Sequence, residues 1–127
     1  MAKRNEFVEH VVETMRLFGP VEAKRMFGVV GLYHRGAIFA LVGVDALYLK
    51  ADDESRGAFE ALDLEPFTFR MKGEEIVTSY YRAPDETLES PDVMLDWARR
   101  GYGAALRAAA RKKRIPRKAV ARKAKRN

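Results

Sequence analysis

The chain has 127 residues, 47% of them hydrophobic and 10% aromatic, which is enough to build one domain with a real core. It contains no cysteine, so disulfides, thiolate metal sites and thiol nucleophiles are excluded together, and a reducing, cytoplasmic setting is the expectation. The formal net charge of +6 is unevenly spread: ten of the 24 Lys and Arg fall within Arg111 to Asn127, which has no acid, so residues 1–110 carry 14 bases against 18 acids, a net charge of −4.

No apolar stretch approaches the roughly 18 residues of a membrane span. The N-terminal Met1-Ala2-Lys3-Arg4-Asn5-Glu6 leads to Glu9 and Glu13 rather than to the apolar stretch of a signal peptide, so neither export nor membrane insertion is expected. Asn5 is read as the cap of a helix whose apolar positions Phe7, Val8, Val11, Val12, Met15 and Phe18 recur at steps of three and four, with Gly19-Pro20 ending it. Val21 to Lys24 reads as a connector. Three strand-like runs follow, Val29 to His34, Ala37 to Val42 and Ala46 to Ala51, broken at Arg35-Gly36 and at Gly43-Val44-Asp45 as in a β-meander. The middle run is apolar on both faces, which predicts a buried central strand. In the third, Tyr48 and Lys50 alternate with Leu47 and Leu49 and give it one wetter face.

Asp52 and Asp53 open a short helix with Ala58, Phe59, Ala61 and Leu62 on its apolar side. Phe67, Phe69 and Met71 then alternate with Thr68 and Arg70, Lys72-Gly73-Glu74 supplies a turn, and Ile76 to Arg82 is a β-branched and aromatic strand. Ser90-Pro91 combines a capping serine with proline at the first helical position, and Val93, Met94, Trp97, Tyr102 and Leu106 mark the helix that follows. Its Gly101, Gly103, Ala104, Ala105 and Ala108 permit close packing against a sheet or a second copy of the chain, and Ile115-Pro116 interrupts any helix reaching that far. The expected fold is α+β: helix, three strands, helix, two strands, helix, with a five-stranded, mainly antiparallel sheet over residues 1–110 and a basic, disordered tail over 111–127.

Arg25-Met26-Phe27-Gly28, Gly31-Leu32-Tyr33, Phe39-Ala40-Leu41, Leu47-Tyr48-Leu49-Lys50, Pro66-Phe67, and Ser79-Tyr80-Tyr81 followed by Ala83-Pro84 together resemble the N-terminal domain of the TfoX (Sxy) family of bacterial competence regulators. The pieces occur in family order between about Phe7 and Ala110. The resemblance implies the same order of helices and strands. It also implies a role in transcription, since two-domain members act as co-activators with the cyclic-AMP receptor protein at competence promoters. Nothing after Ala110 resembles the second, helical domain of those regulators, and the family brings no catalytic residues to carry over.

Among the residues of this resemblance, Arg25, Met26, Phe27, Gly28 and Gly31 read as a core plug at a turn of unusual backbone angles. Tyr33, Tyr48, Tyr80 and Tyr81, with Lys50, read as half-buried strand residues, the alternative being an aromatic platform on which bases stack. His10 and His34 lack the spaced partners that zinc needs, so no metal is expected. The pairs Asp52-Asp53 and Glu74-Glu75 sit at element ends, where acids serve as caps. No GxSxG, phosphate loop or dinucleotide fingerprint is present, so neither enzymatic activity nor a cofactor is expected.

The basic segment is the functional candidate that physics supplies. Arg111, Lys112, Lys113, Arg114, Arg117, Lys118, Arg122, Lys123, Lys125 and Arg126 can neutralise phosphates without base specificity, and Ile115 and Val120 are too few to bury an amphipathic face in lipid. The expectation is a non-enzymatic regulatory or accessory protein whose body makes protein contacts, with itself or with transcription machinery, and whose tail contacts nucleic acid. Two alternatives stand beside it: a dimerisation or protein-interaction module with an incidental tail, and a small-molecule-binding domain with a pocket near Arg25 or the tyrosines.

Overall fold

A computed structural model describes residues 2–26 and 28–114, with side chains for 6–26 and 28–112. Helix α1 spans Ala2–Thr14 and is followed by strands β1 (Glu22–Met26), β2 (Val29–His34), β3 (Ala37–Val42) and β4 (Leu47–Lys50). A short helix α2 (Arg56–Glu60), strands β5 (Pro66–Met71) and β6 (Glu74–Arg82), a 3-10 helix over Asp85–Leu88 and the long helix α3 (Pro91–Arg114) complete the order. The strands form one six-stranded sheet in the order β1-β2-β3-β4-β6-β5, with every adjacent pair antiparallel. The α+β class and the place of β3 within the sheet agree with the sequence reading; the strand number does not.

The sixth strand is β1, formed by residues that read as a connector. Glu22, Ala23, Lys24 and Arg25 are all exposed on this edge strand, so no buried face imposes apolar alternation on it, and it is held by backbone pairing to β2 alone. Other boundaries shift for local reasons. α1 begins at Ala2, so Asn5 lies inside the helix rather than capping it; Ala, Lys, Arg and Glu around it are good helix formers. Met15 and Phe18 fall in the turn beyond Thr14, where Gly19 takes φ +143°. α2 starts only at Arg56, and of its expected apolar side Phe59 is buried while Leu62 is 54% exposed. α3 continues to Arg114, so the first four bases of the segment read as a disordered tail are helical; residues 115–127 lie outside the described residues.

The turns follow the residue chemistry. Arg35-Gly36 and Lys72-Gly73 have φ of 51° and 82° and of 54° and 82°, the two left-handed positions of a type I′ hairpin that match the twist of the flanking strands. Glu74, read as part of the second turn, is the first residue of β6. The Ser90 hydroxyl accepts the Val93 backbone N–H at 3.3 Å, capping α3 as its sequence predicts.

Strand pairing sorts the side chains. Val30, Val42 and Leu47 face one another across β2, β3 and β4, as do Leu32, Ala40 and Leu49. All six join Val11 and Met15 of the α1 region, Phe59 of α2 and Met94, Ala98 and Ala105 of α3 in one buried cluster. The three helices therefore cover the same face of the sheet, and α3 lies along β3 and β4. Gly101 is the seat of that contact: a Cβ there would come within 3.2 Å of the Phe39 carbonyl oxygen and 3.3 Å of Leu49 Cβ.

Candidate nucleic-acid interface

The residues that alternate with this core lie on the opposite face. Gly31 pairs with Leu41 and Leu41 with Tyr48; Tyr33 pairs with Ile38, and Lys50 with Tyr80. Alternation along β2 keeps Tyr33 on this side while the next residue, His34, turns to the helices and meets Phe18 and Tyr102 at ring separations of 4.7 and 4.8 Å; the register shift at Leu32 and Tyr33 is taken up on β3, between Ile38 and Ala40. On the outer strands Phe69 pairs with Ile76, and the Phe67 ring lies 5.0 Å from that of Tyr48 and 6.3 Å from that of Phe69. Tyr33, Tyr48, Phe67, Phe69 and Tyr80 thus line one face. Among the described residues, the ring contacts of these five go to neighbours on the sheet, and none goes to a helix.

Tyr81 departs from its three companions. It points to the helices, with its ring 5.5 Å from that of Phe59. Four tyrosines that read alike in sequence divide three to one between the faces.

Lysines border the open face. Lys24 Nζ lies 5.0 Å from the centre of the Tyr33 ring, and Lys50 Nζ lies 5.0 Å from that of Tyr80 while donating to Ser79 Oγ at 2.8 Å. Burial, with the nearby charge of Lys112 on α3, pushes the Lys50 ammonium below the usual lysine value against the opposing pull of Asp52. Burial, with Tyr33 beside it, pushes the Tyr80 hydroxyl above the usual tyrosine value. Lys50 ends β4 two residues before Asp52, to which Arg107 of α3 donates, so α3 approaches this end of β4; beyond it on α3, Arg111 and Lys112 are exposed. Lys113 and Arg114 belong to the helix, and Arg117, Lys118, Arg122, Lys123, Lys125 and Arg126 lie outside the described residues.

The Arg25–Gly28 segment has a structural place in part. Gly28 takes φ +84° at the β1–β2 turn, Arg25 and Met26 end β1, and Phe27 lies outside the described residues. Met26 Sδ, Ile38 Cδ1 and Tyr33 Cε1 converge over Gly31, where a Cβ would meet them at 2.8, 2.9 and 3.3 Å. Met26 therefore plugs the open face rather than the core.

The histidines and the first acidic pair hold elements together. His10 Nε2 donates to the Leu88 carbonyl and His34 Nδ1 to the Pro20 carbonyl, each at 2.6 Å. Asp52 Oδ2 accepts Arg107 Nε at 2.6 Å and its Oδ1 accepts Arg107 Nη2 at 3.0 Å, while Oδ1 also accepts the backbone N–H groups of Glu54 and Ser55 at 3.1 Å. The paired guanidinium holds this carboxyl at about 2, well below the usual carboxylate range. This clasp ties α3 to the β4–α2 turn, fixing where the basic end of the helix stands.

A groove of about 720 Å³ lies elsewhere, between α1 and β1, with Val8, Val12 and Val21 on its apolar walls. Of the charged residues that line it, Glu13 and Arg16 pair with each other at 3.0 Å. No cluster of three or more potential metal ligands occurs among the described residues, and none of their helices is long and apolar enough to cross a membrane.

An α+β domain with one covered and one open sheet face is therefore the frame for the basic segment. The family model described as the TfoX N-terminal domain matches residues 13–105, and the chain belongs to that family. A comparison with curated proteins returned no match. Phe69 and Lys24 are residues of the open face to which sequence reasoning assigned no role, and Phe67 entered only within the family resemblance; the alternation of Phe67, Phe69 and Met71 was the available signal, but it carries no information on which face lacks helices.

Proposed function

We propose that this TfoX N-terminal-domain protein is a non-enzymatic regulatory or accessory protein that contacts nucleic acid, without base specificity, through the basic segment beginning at Arg111. The observation that carries the reading is the separation of charge: ten cations and no acid in residues 111–127, against a net −4 in the remainder. α3 supports it in that its last turn carries the first four residues of this segment, with Arg111 and Lys112 exposed. Released counterions would supply the binding free energy, so affinity would fall steeply with salt. The role in transcription and competence that two-domain members of the family have belongs to this proposal rather than to the family assignment.

The test is fluorescence anisotropy of a labelled duplex, titrated with the full chain and with a full-length variant carrying Gln at all ten basic positions of 111–127, across a range of salt. The wild-type chain is expected to bind with a slope of log K against log salt between about −4 and −9, set by whether half or all of the cations meet phosphates. The neutralised variant is expected to lose that binding. Equal binding by both, or by neither, would overturn the reading.

A further inference from the structure

The open sheet face carries two ingredients at once: five aromatic rings without helical cover, and lysines on the same strands. Phe69 is 37% exposed at the hairpin, and Tyr48 and Phe67 form an edge-to-face pair beside it. Lys24 on β1 and Lys50 on β4 share this face, over Tyr33 and Tyr80. Base faces match exposed rings and phosphates match the bordering ammonium groups, which is the chemistry of a single-stranded nucleic acid; a duplex hides its base faces. Among the described residues this face holds Lys24, Lys50 and Arg82 against Glu22 and Glu74, and this small cationic excess favours a polyanion over a second copy of the same face.

We infer that the open face of the sheet is a stacking platform for single-stranded nucleic acid, with bases on Tyr48, Phe67 and Phe69 and phosphates toward Lys24 and Lys50. This rests on the nucleic-acid reading of the basic segment and gives it a preferred form of ligand. Lys24 and Lys50 now cover Tyr33 and Tyr80, so a phosphate that draws a lysine off its ring would open a further stacking position.

The experiment compares a 12-nucleotide oligothymidylate with a duplex of equal length, using the full chain, Phe69→Ala and Tyr48→Ala/Phe67→Ala. Loss of one stacked base is expected to weaken oligothymidylate binding roughly 5- to 150-fold and to leave duplex binding unchanged. Because the double variant removes packing as well, the wild-type protein is also photocrosslinked to a 4-thiothymidine form of the oligonucleotide and the adducts are mapped. Adducts on Tyr48, Phe67 or Phe69 support the platform. Adducts confined to residues 111–127, with both ligands still bound, would overturn the platform and leave the tail reading standing. Binding of neither ligand would overturn both, and concentration-dependent dimerisation that protects the open face would assign it to a second copy instead.

Discussion

Gly101 and Gly103 stand two residues apart on α3, and the same substitution has different expected effects at the two. The nearest atoms a methyl would meet at Gly101 are the Phe39 carbonyl oxygen and Leu49 Cβ in the middle of the sheet, which have little room to retreat; at Gly103 the nearest is Arg107 Nη1 at 3.4 Å, the adaptable end of a side chain. Gly103→Ala should therefore raise stability by about 0.5–1 kcal/mol through helix propensity, whereas Gly101→Ala should gain nothing and Gly101→Val should lose about 1–3 kcal/mol. Urea denaturation of the three variants checks this, and a stabilised Gly101→Val would show that α3 is not seated there. Asp52 carries a pH dependence. Its folded value of about 2 lies below that of an unfolded aspartate, so its contribution is complete above about pH 4 and is lost as pH falls towards 2. With the Arg107 side chain 35% exposed, water screens the pair, and a contribution of roughly 1–2 kcal/mol is expected. Asp52→Asn should lose that amount at pH 7 and flatten the decline between pH 4 and 2, as read from urea midpoints at each pH.

The hairpins and the edge strand show how element-level information divides. Lys72-Gly73 and Arg35-Gly36 are legible because a type I′ turn needs two positive φ angles and glycine adopts one without cost. Lys72→Asn, placing a residue tolerant of φ > 0 at 54°, should stabilise by a few tenths of a kcal/mol, and Gly73→Ala should cost about 1 kcal/mol or more; thermal unfolding of both variants checks the pair. β3 is legible for a different reason: both its faces are filled, so it appears as a continuous apolar run. β1 is illegible because an edge strand paired on one side only, with no buried face, carries no apolar alternation in its side chains. The end of α3 is misread for a related reason: Arg and Lys are good helix formers, and a preceding helix supplies the costly nucleus that a basic segment alone would lack.

At the scale of the whole molecule, the basic segment and the body should be separable in stability. None of the ten cations belongs to the buried cluster of the described residues, so replacing them by Gln should remove mainly the favourable placement of positive charge at the C-terminal end of α3, a loss of no more than about 1 kcal/mol by calorimetry. A larger loss would mean that the segment packs on the domain, and the proposed role in nucleic-acid contact would have to share it. The sequence by itself determined the α+β class, the central strand, the hairpin turns and the charge division, because each rests on local periodicity, backbone preference or composition. Only the tertiary structure decided that all the helices cover one face, that Tyr33, Tyr48 and Tyr80 part from Tyr81, and that Arg107 of α3 is clasped by Asp52 beyond the end of β4. The physical reason is that alternation separates the two faces of a strand without saying which will be buried. That choice is made by pairing register, by the shift at Leu32 and Tyr33, and by where α3 comes to rest across Gly101.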